Sequence, residues 1–254
     1  MKQCIWCNRK EHDTSFKTLA HTFPQSIGGK KICKNVCDEC NFAFGRKQQF
    51  QPSVDIAVKE IFNISKNIIS TNTKQFQKNR FKSEYFKIDI EKRKITLKPK
   101  YKLKSNFQET FARSFRRGIY KIFLEERERI IGDALSDEFN FIREFSRYNL
   151  NDIPLYYLKP VIPLIFTNEE HLNNPELQFS THNMNLHEEY RLFDFYYAGY
   201  SYLLHTNNFM KDFHIYNYNI NVINKETNSM KLSKIVAINR MEDLDFRYQL
   251  FNQK

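Results

Sequence analysis

The chain is 254 residues long, 41% hydrophobic and 27% charged, with a formal charge of +11. That length buries a sizeable core, either as one large domain or as a small module joined to a larger one. The most apolar stretch, residues 153–166, is too short to span a bilayer and is interrupted by Lys159 and by Pro154, Pro160 and Pro163, which argues against membrane insertion.

Charge is divided unequally along the chain. Residues 1–104 hold 23 Lys and Arg against 9 Asp and Glu, whereas residues 105–254 hold 17 against 20. The basic half is where a polyanion is expected to bind, although a lysine-rich surface is also common in proteins with no such partner. Two Cys-x-x-Cys pairs lie in that half, Cys4 with Cys7 and Cys37 with Cys40. Each turn presents two thiolates to one tetrahedral ion, so together they supply the four soft ligands of a closed structural Zn2+ site. Cys33 is left over, and the odd total of 5 cysteines argues against a disulfide framework and for a reducing, cytoplasmic setting. Cys4 falls where a cleavable leader would begin, so no signal peptide is expected.

Between the pairs, residues 16–23 alternate apolar and polar side chains and predict a short strand carrying His21. Pro24 closes it, and Gly28-Gly29 forms a turn that takes Lys30 and Lys31 past the site. A helix is predicted from Asp38, with two acids in its first turn and Gly45 as a cap. Residues 54–70 set Val54, Ala57, Val58, Ile61, Ile64 and Ile68 close to one helical face, starting from Pro52-Ser53.

Residues 85–90 and 94–98 alternate around Glu91-Lys92-Arg93 and predict a β-hairpin. Lys98, Lys100, Lys102 and Lys104 then recur at every second residue; an extended segment puts all four on one face, either to track phosphates or as a solvated edge. Residues 106–131 predict a long helix with Phe107, Phe111, Phe115, Ile119 and Phe123 on one side and Arg113, Arg116, Arg117 and Lys121 towards the other. A further helical stretch covers 139–145. Beyond Leu150, alternating runs at 190–204, 214–223 and 230–238 predict antiparallel strands. His182, His187, Glu188 and Glu189 read as a polar loop rather than a second metal site.

The expected fold class is α+β in three segments: a zinc-stapled module at 1–51, a basic helix and hairpin at 52–104, and a mainly antiparallel-β C-terminal region with helices at 105–254. The last segment is the candidate for choosing the target, forming a homodimer or recruiting a partner protein.

The run His21-Thr22-Phe23-Pro24-Gln25-Ser26-Ile27-Gly28-Gly29, with Cys4-x-x-Cys7 before it and Asn35 and Cys37-x-x-Cys40-Asn41 after it, resembles the HNH endonucleases in their zinc-containing variety. The resemblance covers roughly the first fifth of the chain. It implies a ββα-metal fold that hydrolyses DNA phosphodiester bonds, with His21 as general base and Asn35 setting the angle of the imidazole through the loop. It also implies Asn41 as a ligand of a catalytic Mg2+ or Mn2+, with Lys30, Lys31, Arg46 and Lys47 on phosphates. Stand-alone bacterial members often carry a similar helical segment behind the nuclease, and such proteins occur in mobile elements and in anti-phage defence.

One position departs from the pattern. Ala20 stands where the phage resolving endonucleases have an acid that binds the catalytic ion. Substrate phosphates, or Glu11 or Asp13, could complete the ion's shell; the chain could be an impaired relative that binds nucleic acid on its zinc scaffold; or Ala20 could be an introduced substitution. A zinc-ribbon adaptor for other proteins is a further reading and predicts no salt-dependent DNA binding.

Overall fold

A computed structural model describes residues 2–47, 51–71, 82–89, 94–102, 106–160, 172–223, 233–244 and 249–250. Near the N-terminus, β1 (Ala20–His21) pairs antiparallel with β2 (Ile32–Cys33), Ala20 opposite Cys33 and His21 opposite Ile32, and α1 (Asp38–Gly45) follows. The strand is shorter than the alternation at 16–23 predicts because its first half is tied to α1. Thr18 donates to Asp38 Oδ1 through both its backbone N–H (2.8 Å) and its hydroxyl (2.7 Å).

Helix α2 (Val54–Thr71) starts where Ser53 Oγ accepts the N–H of Ile56 at 3.2 Å, satisfying one of the donors that a helix start leaves free. The predicted hairpin is β3 (Phe86–Asp89) with β4 (Lys94–Leu97), Phe86 opposite Leu97; its tip at 90–93 lies outside the described residues. A third strand, β9 (Gln249–Leu250), adds parallel to β4.

The lysine-bearing segment after β4 does not stay extended. Pro99–Lys102 winds into one helical turn, α3, opened by a proline that has no N–H to leave unpaired. Lys98 donates to the carbonyl of Ser83 at 2.7 Å and Lys100 lies 4.7 Å over the ring of Tyr101, so the expected single face of lysines does not form; Lys104 lies outside the described residues.

The C-terminal region holds a four-stranded antiparallel sheet of β5 (Leu155–Pro160), β6 (Leu192–Tyr197), β7 (Tyr200–His205) and β8 (Ser233–Ala237), in the order β6-β7-β5-β8. A two-residue turn at Ala198-Gly199, both with positive φ, joins β6 to β7. Strand alternation gives each face its own layer. Leu155, Tyr157, Phe193, Phe195, Tyr202 and Leu204 enter the main core. Leu192 and Leu203 face a smaller cluster closed by α6 (Thr181–Tyr190) and α7 (Lys211–Tyr218).

Helix α7 and the π-turn at Asn219–Ile223 replace the strand expected at 214–223. That segment carries two periods at once, and the one that buries surface prevails: Ile215, Tyr218 and Val222 recur at helical spacing and pack on the sheet.

Helix α4 (Phe107–Ile130) runs through the middle, against α2, α5 (Asn140–Tyr148), β2 and the sheet. It crosses α2 at Gly118, where a Cβ would meet Val58 Cγ2 at 2.1 Å. The main hydrophobic cluster is continuous from Cys4 to Leu244, so the N-terminal module, the hairpin segment and the C-terminal region share one core.

The basic side of α4 is buried as well, with Arg116, Arg117 and Lys121 each less than a tenth exposed. Each cation is matched, as burial demands. Arg116 donates to the Ile153 carbonyl at 2.9 Å and Arg117 to the Ser146 carbonyl at 2.9 and 3.1 Å. Lys121 Nζ sits 3.4 Å from Asp55, 3.1 Å from Glu125 and 3.3 Å from the carbonyl of His21. Trp6 Nε1 donates to Glu125 at 3.1 Å. Burial opposes the Lys121 ammonium, but Asp55 and Glu125 more than offset it and hold its pKa above the usual lysine value. Burial pushes the Glu125 carboxyl up to about 7 against the pull of Lys121.

Two stability predictions follow from these buried groups. Lys121→Met leaves two acids facing each other without a cation and lowers unfolding free energy by about 3–5 kcal/mol in urea titrations. Adding Glu125→Gln recovers part of that loss. The second concerns His205, which is fully buried with no hydrogen-bond partner at either ring nitrogen among the described residues. Burial, helped by Lys211 and His214, lowers its pKa to about 3. The unfolded chain therefore binds a proton that the folded chain refuses between that value and the ordinary 6.5, so this group withdraws stability as pH falls. Glu125 acts in the opposite sense, so the quantity to measure is a difference: between pH 6.5 and 4.5, wild type loses up to roughly 2 kcal/mol more than His205→Leu.

Candidate functional site

The four cysteine sulfurs of the two knuckles lie within 4.8 Å of one another. A Zn–S bond of about 2.3 Å sets neighbouring sulfurs of a tetrahedron about 3.8 Å apart. Cys7 Sγ and Cys37 Sγ are 3.7 Å apart, too far for a disulfide and right for two ligands of one ion. The first knuckle closes through the Asn8 N–H on the Cys4 carbonyl (2.9 Å), with Asn8 itself in the left-handed region at φ 59°. The second donates the Cys37 N–H to Cys4 Sγ at 3.4 Å. The donor set fits structural zinc.

Four thiolates around Zn2+ carry a net double negative charge, and two guanidinium groups face it. Arg9 Nε donates to Cys7 Sγ and Arg147 Nε to Cys40 Sγ, each at 3.4 Å. Glu39 holds both arginines, at 2.5 Å from Arg9 and 3.7 Å from Arg147. Arg147 arrives on α5, far along the chain, and nothing in the local sequence announces it. Cys33 stays apart from the quartet: it is buried opposite Ala20, and burial, with Glu125 nearby, pushes its thiol well up, as for a neutral core residue.

On this scaffold β1 presents His21, half-buried, at the mouth of the turn that begins at Pro24. Its Nε2 lies 2.7 Å from the carboxamide nitrogen of Gln25, an exposed side chain; Nδ1 faces inward with no partner among the described residues. With the amide donating, the outward nitrogen carries the lone pair. Gln25 is the neighbour that sequence reasoning missed, although its position four residues after His21, just past the strand-ending proline, was a usable signal. The two glycines make the turn possible. A Cβ on Gly28, at φ 104°, would meet the Asn173 carbonyl oxygen at 2.1 Å, and one on Gly29 the Phe23 carbonyl oxygen at 2.0 Å.

Asn41, on α1, donates its amide to Thr18 Oγ1 (3.1 Å) and to the Leu19 carbonyl (3.5 Å), while no described residue donates to its Oδ1. It therefore touches the residues that lead into β1, the strand that carries His21. Asn35 is engaged elsewhere, donating to Glu128 at 2.5 Å while its carbonyl accepts the N–H of Ile5 at 2.9 Å; it ties the first knuckle to α4. Lys30 and Arg46 are exposed. Lys31 pairs with Glu176 at 3.7 Å and Lys47 with Glu84 at 2.8 Å, so both sit in surface ion pairs.

Ala20 is 1% exposed and turned into the core, so an acid at this position would have to be accommodated there. Glu11 accepts from the N–H of Lys2, and Asp13 lies beside His12 in the knuckle loop. Among the described residues the cysteine quartet is the one group of three or more His, Cys, Asp and Glu that converges. His182, His187, Glu188 and Glu189 lie on α6 rather than in the expected loop, and the two histidines meet different partners, Asp194 and Thr206.

A metal assay on the purified chain is expected to find one zinc per chain, lost on Cys37→Ser. Removing it with a strong chelator lowers the melting temperature by roughly 10 °C or more, because ligand binding to the folded site is part of its folding free energy.

Residues 4–52 match the model of the HNH endonuclease family. No curated protein and no solved structure matches the chain. The matched span includes both knuckles, β1, β2 and α1, the parts that hold the sulfurs, His21 and Asn41 together. Residues 4–52 are thus similar to the HNH endonuclease family, which supports a nuclease-type function for the N-terminal module in general.

Proposed function

We propose that the N-terminal module is a metal-dependent endonuclease that hydrolyses phosphodiester bonds of DNA, with His21 as general base. The observation that carries this reading is the Nε2 of His21, whose partner among the described residues is the exposed carboxamide of Gln25, on a strand whose backbone is bonded from α4 and whose preceding residue Leu19 is bonded to Asn41.

Phosphodiester hydrolysis forms a bond from water oxygen to phosphorus, breaks a bond from phosphorus to a sugar oxygen, and must remove one proton from the water. In this reading Nε2 of His21 takes that proton once the water has replaced the Gln25 amide, and the leaving oxygen is protonated from solvent. The antiparallel pairing of β1 with β2 and the bond from Lys121 to the His21 carbonyl hold the backbone that aims the ring. Asn41 Oδ1 would hold a divalent ion whose remaining ligands are water and substrate phosphate oxygens. When bound, that ion supplies positive charge to the phosphate. Lys30 and Arg46 carry the exposed positive charge expected to meet the flanking phosphates, with Lys31 and Lys47 joining them when their glutamate partners are exchanged for phosphate.

A second reading is favoured by Ala20, which leaves the ion without an anionic protein ligand: a zinc-stabilised module that binds nucleic acid without cutting it. The two separate in one assay. Purified protein is incubated with supercoiled plasmid in Mg2+ or Mn2+, and His21→Ala is expected to slow nicking by at least about a hundredfold. Equal nicking by wild type and His21→Ala refutes the mechanism. Binding that weakens steeply with salt, with no nicking in either ion, selects the second reading.

A further inference from the structure

Leu19 and Phe42 are the two large hydrophobic side chains left exposed in the N-terminal module among the described residues, at 64% and 66%. Single exposed hydrophobics are ordinary. These two are neighbours in sequence of the candidate site residues His21 and Asn41. Leu19 lies two residues before His21 in an extended run, and the alternation that buries Ala20 puts Leu19 and His21 on the same outward side. The carbonyl of Leu19 accepts from Asn41, and Phe42 follows Asn41 on α1. Helix α1 buries Cys40 and Phe44, two residues to either side of Phe42, so Phe42 projects from the opposite face. Arg46, exposed, stands one turn further on, its N–H on the Phe42 carbonyl at 2.9 Å.

An exposed aliphatic side chain thus stands two residues from the histidine, and an exposed aromatic one stands next to Asn41, which is bonded to the Leu19 carbonyl, with a cation one helical turn away. We propose that Leu19 and Phe42 hold an unstacked nucleobase next to the phosphate processed at His21, so that the module's substrate is DNA whose bases are unpaired at the cleavage position. This rests on the nuclease reading above and adds to it a substrate class. A nucleobase offers an apolar face for Phe42 and Leu19 while its own phosphate, one step along the backbone, meets the cationic and polar groups. A continuous duplex hides those faces in its stack and must first be opened, at a cost that single-stranded or locally open DNA does not incur.

The test presents one labelled sequence as a single strand, as a perfect duplex, and as a duplex with a central mismatch bubble. Wild type is expected to cut the first and third at least about tenfold faster than the second. Phe42→Ala, and Leu19→Ala as an independent variant, lower the ratio of single-strand to duplex cleavage, Phe42→Ala by roughly fivefold to a hundredfold; Phe42→Trp keeps it. A wild-type ratio near one, or a ratio that Phe42→Ala leaves unaltered, overturns the proposal while the nuclease reading stands. If nothing is cut, the nuclease reading fails and binding decides this one. His21→Ala protein is titrated into a single strand carrying 2-aminopurine, whose emission falls on stacking. A fall that Phe42→Ala abolishes supports the base-holding surface; equal emission with both proteins overturns it.

Discussion

A helix buried on every side cannot carry a charge without a fixed partner, and α4 carries several. Lys121 is the one on which the most depends, because its ammonium joins three elements distant in sequence: Asp55 on α2, Glu125 on α4 and the backbone of His21 on β1. Taking such an ion out of water costs several kcal/mol, recovered only if all of its partners are in place. The arrangement is therefore close to all-or-none. The strand that presents His21 has a defined height above the core because a buried cation needs that carbonyl.

The cysteine quartet and α4 act on the same small module from opposite sides. The sulfurs bring the two knuckles together and fix where α1 begins. From the other side Trp6 reaches Glu125, Asn35 reaches Glu128 and Lys121 reaches His21. A module of this size buries too little apolar surface to be rigid alone, so a cysteine quartet fit for a metal cross-link and a docked helix are complementary means of holding it. Arg147 connects the two, since it comes from α5 and donates to one of the thiolates. Reading the zinc site as four ligands alone would leave out the cations that balance its charge.

The surface left by this construction is mixed in character. Its inward face, with Ala20, Cys33 and Phe44, is sealed. Its outward side carries exposed Leu19 and Phe42 in sequence next to half-buried His21 and Asn41, with Asn41 bonded to the Leu19 carbonyl. The acid absent at Ala20 would belong to the inward set in this backbone, so the position most informative in the sequence is also the one whose side chain has least access to solvent.

How far the amino-acid sequence reached depended on the range of the interaction. The convergence of the four cysteines was legible because the two thiols of one knuckle are three residues apart and their geometry is local. The long helices at 54–71 and 107–130 were legible for the same reason, since a 3.6-residue period is written in a few consecutive turns. What the side chains of α4 do was not, because a row of Arg and Lys looks the same whether it faces water or the carbonyls of Ile153 and Ser146. The lysines after β4 and the segment at 214–223 failed similarly: each holds a period-two pattern, and packing against Ser83 and Tyr101 in one case and the sheet in the other selected a helix. At the candidate site, sequence marked His21, but only the folded chain supplied Gln25 at its outward nitrogen and Lys121 beneath its backbone. Ligand spacing and helical period are properties of neighbours in the chain; the partner of a charge is decided by whatever is packed beside it.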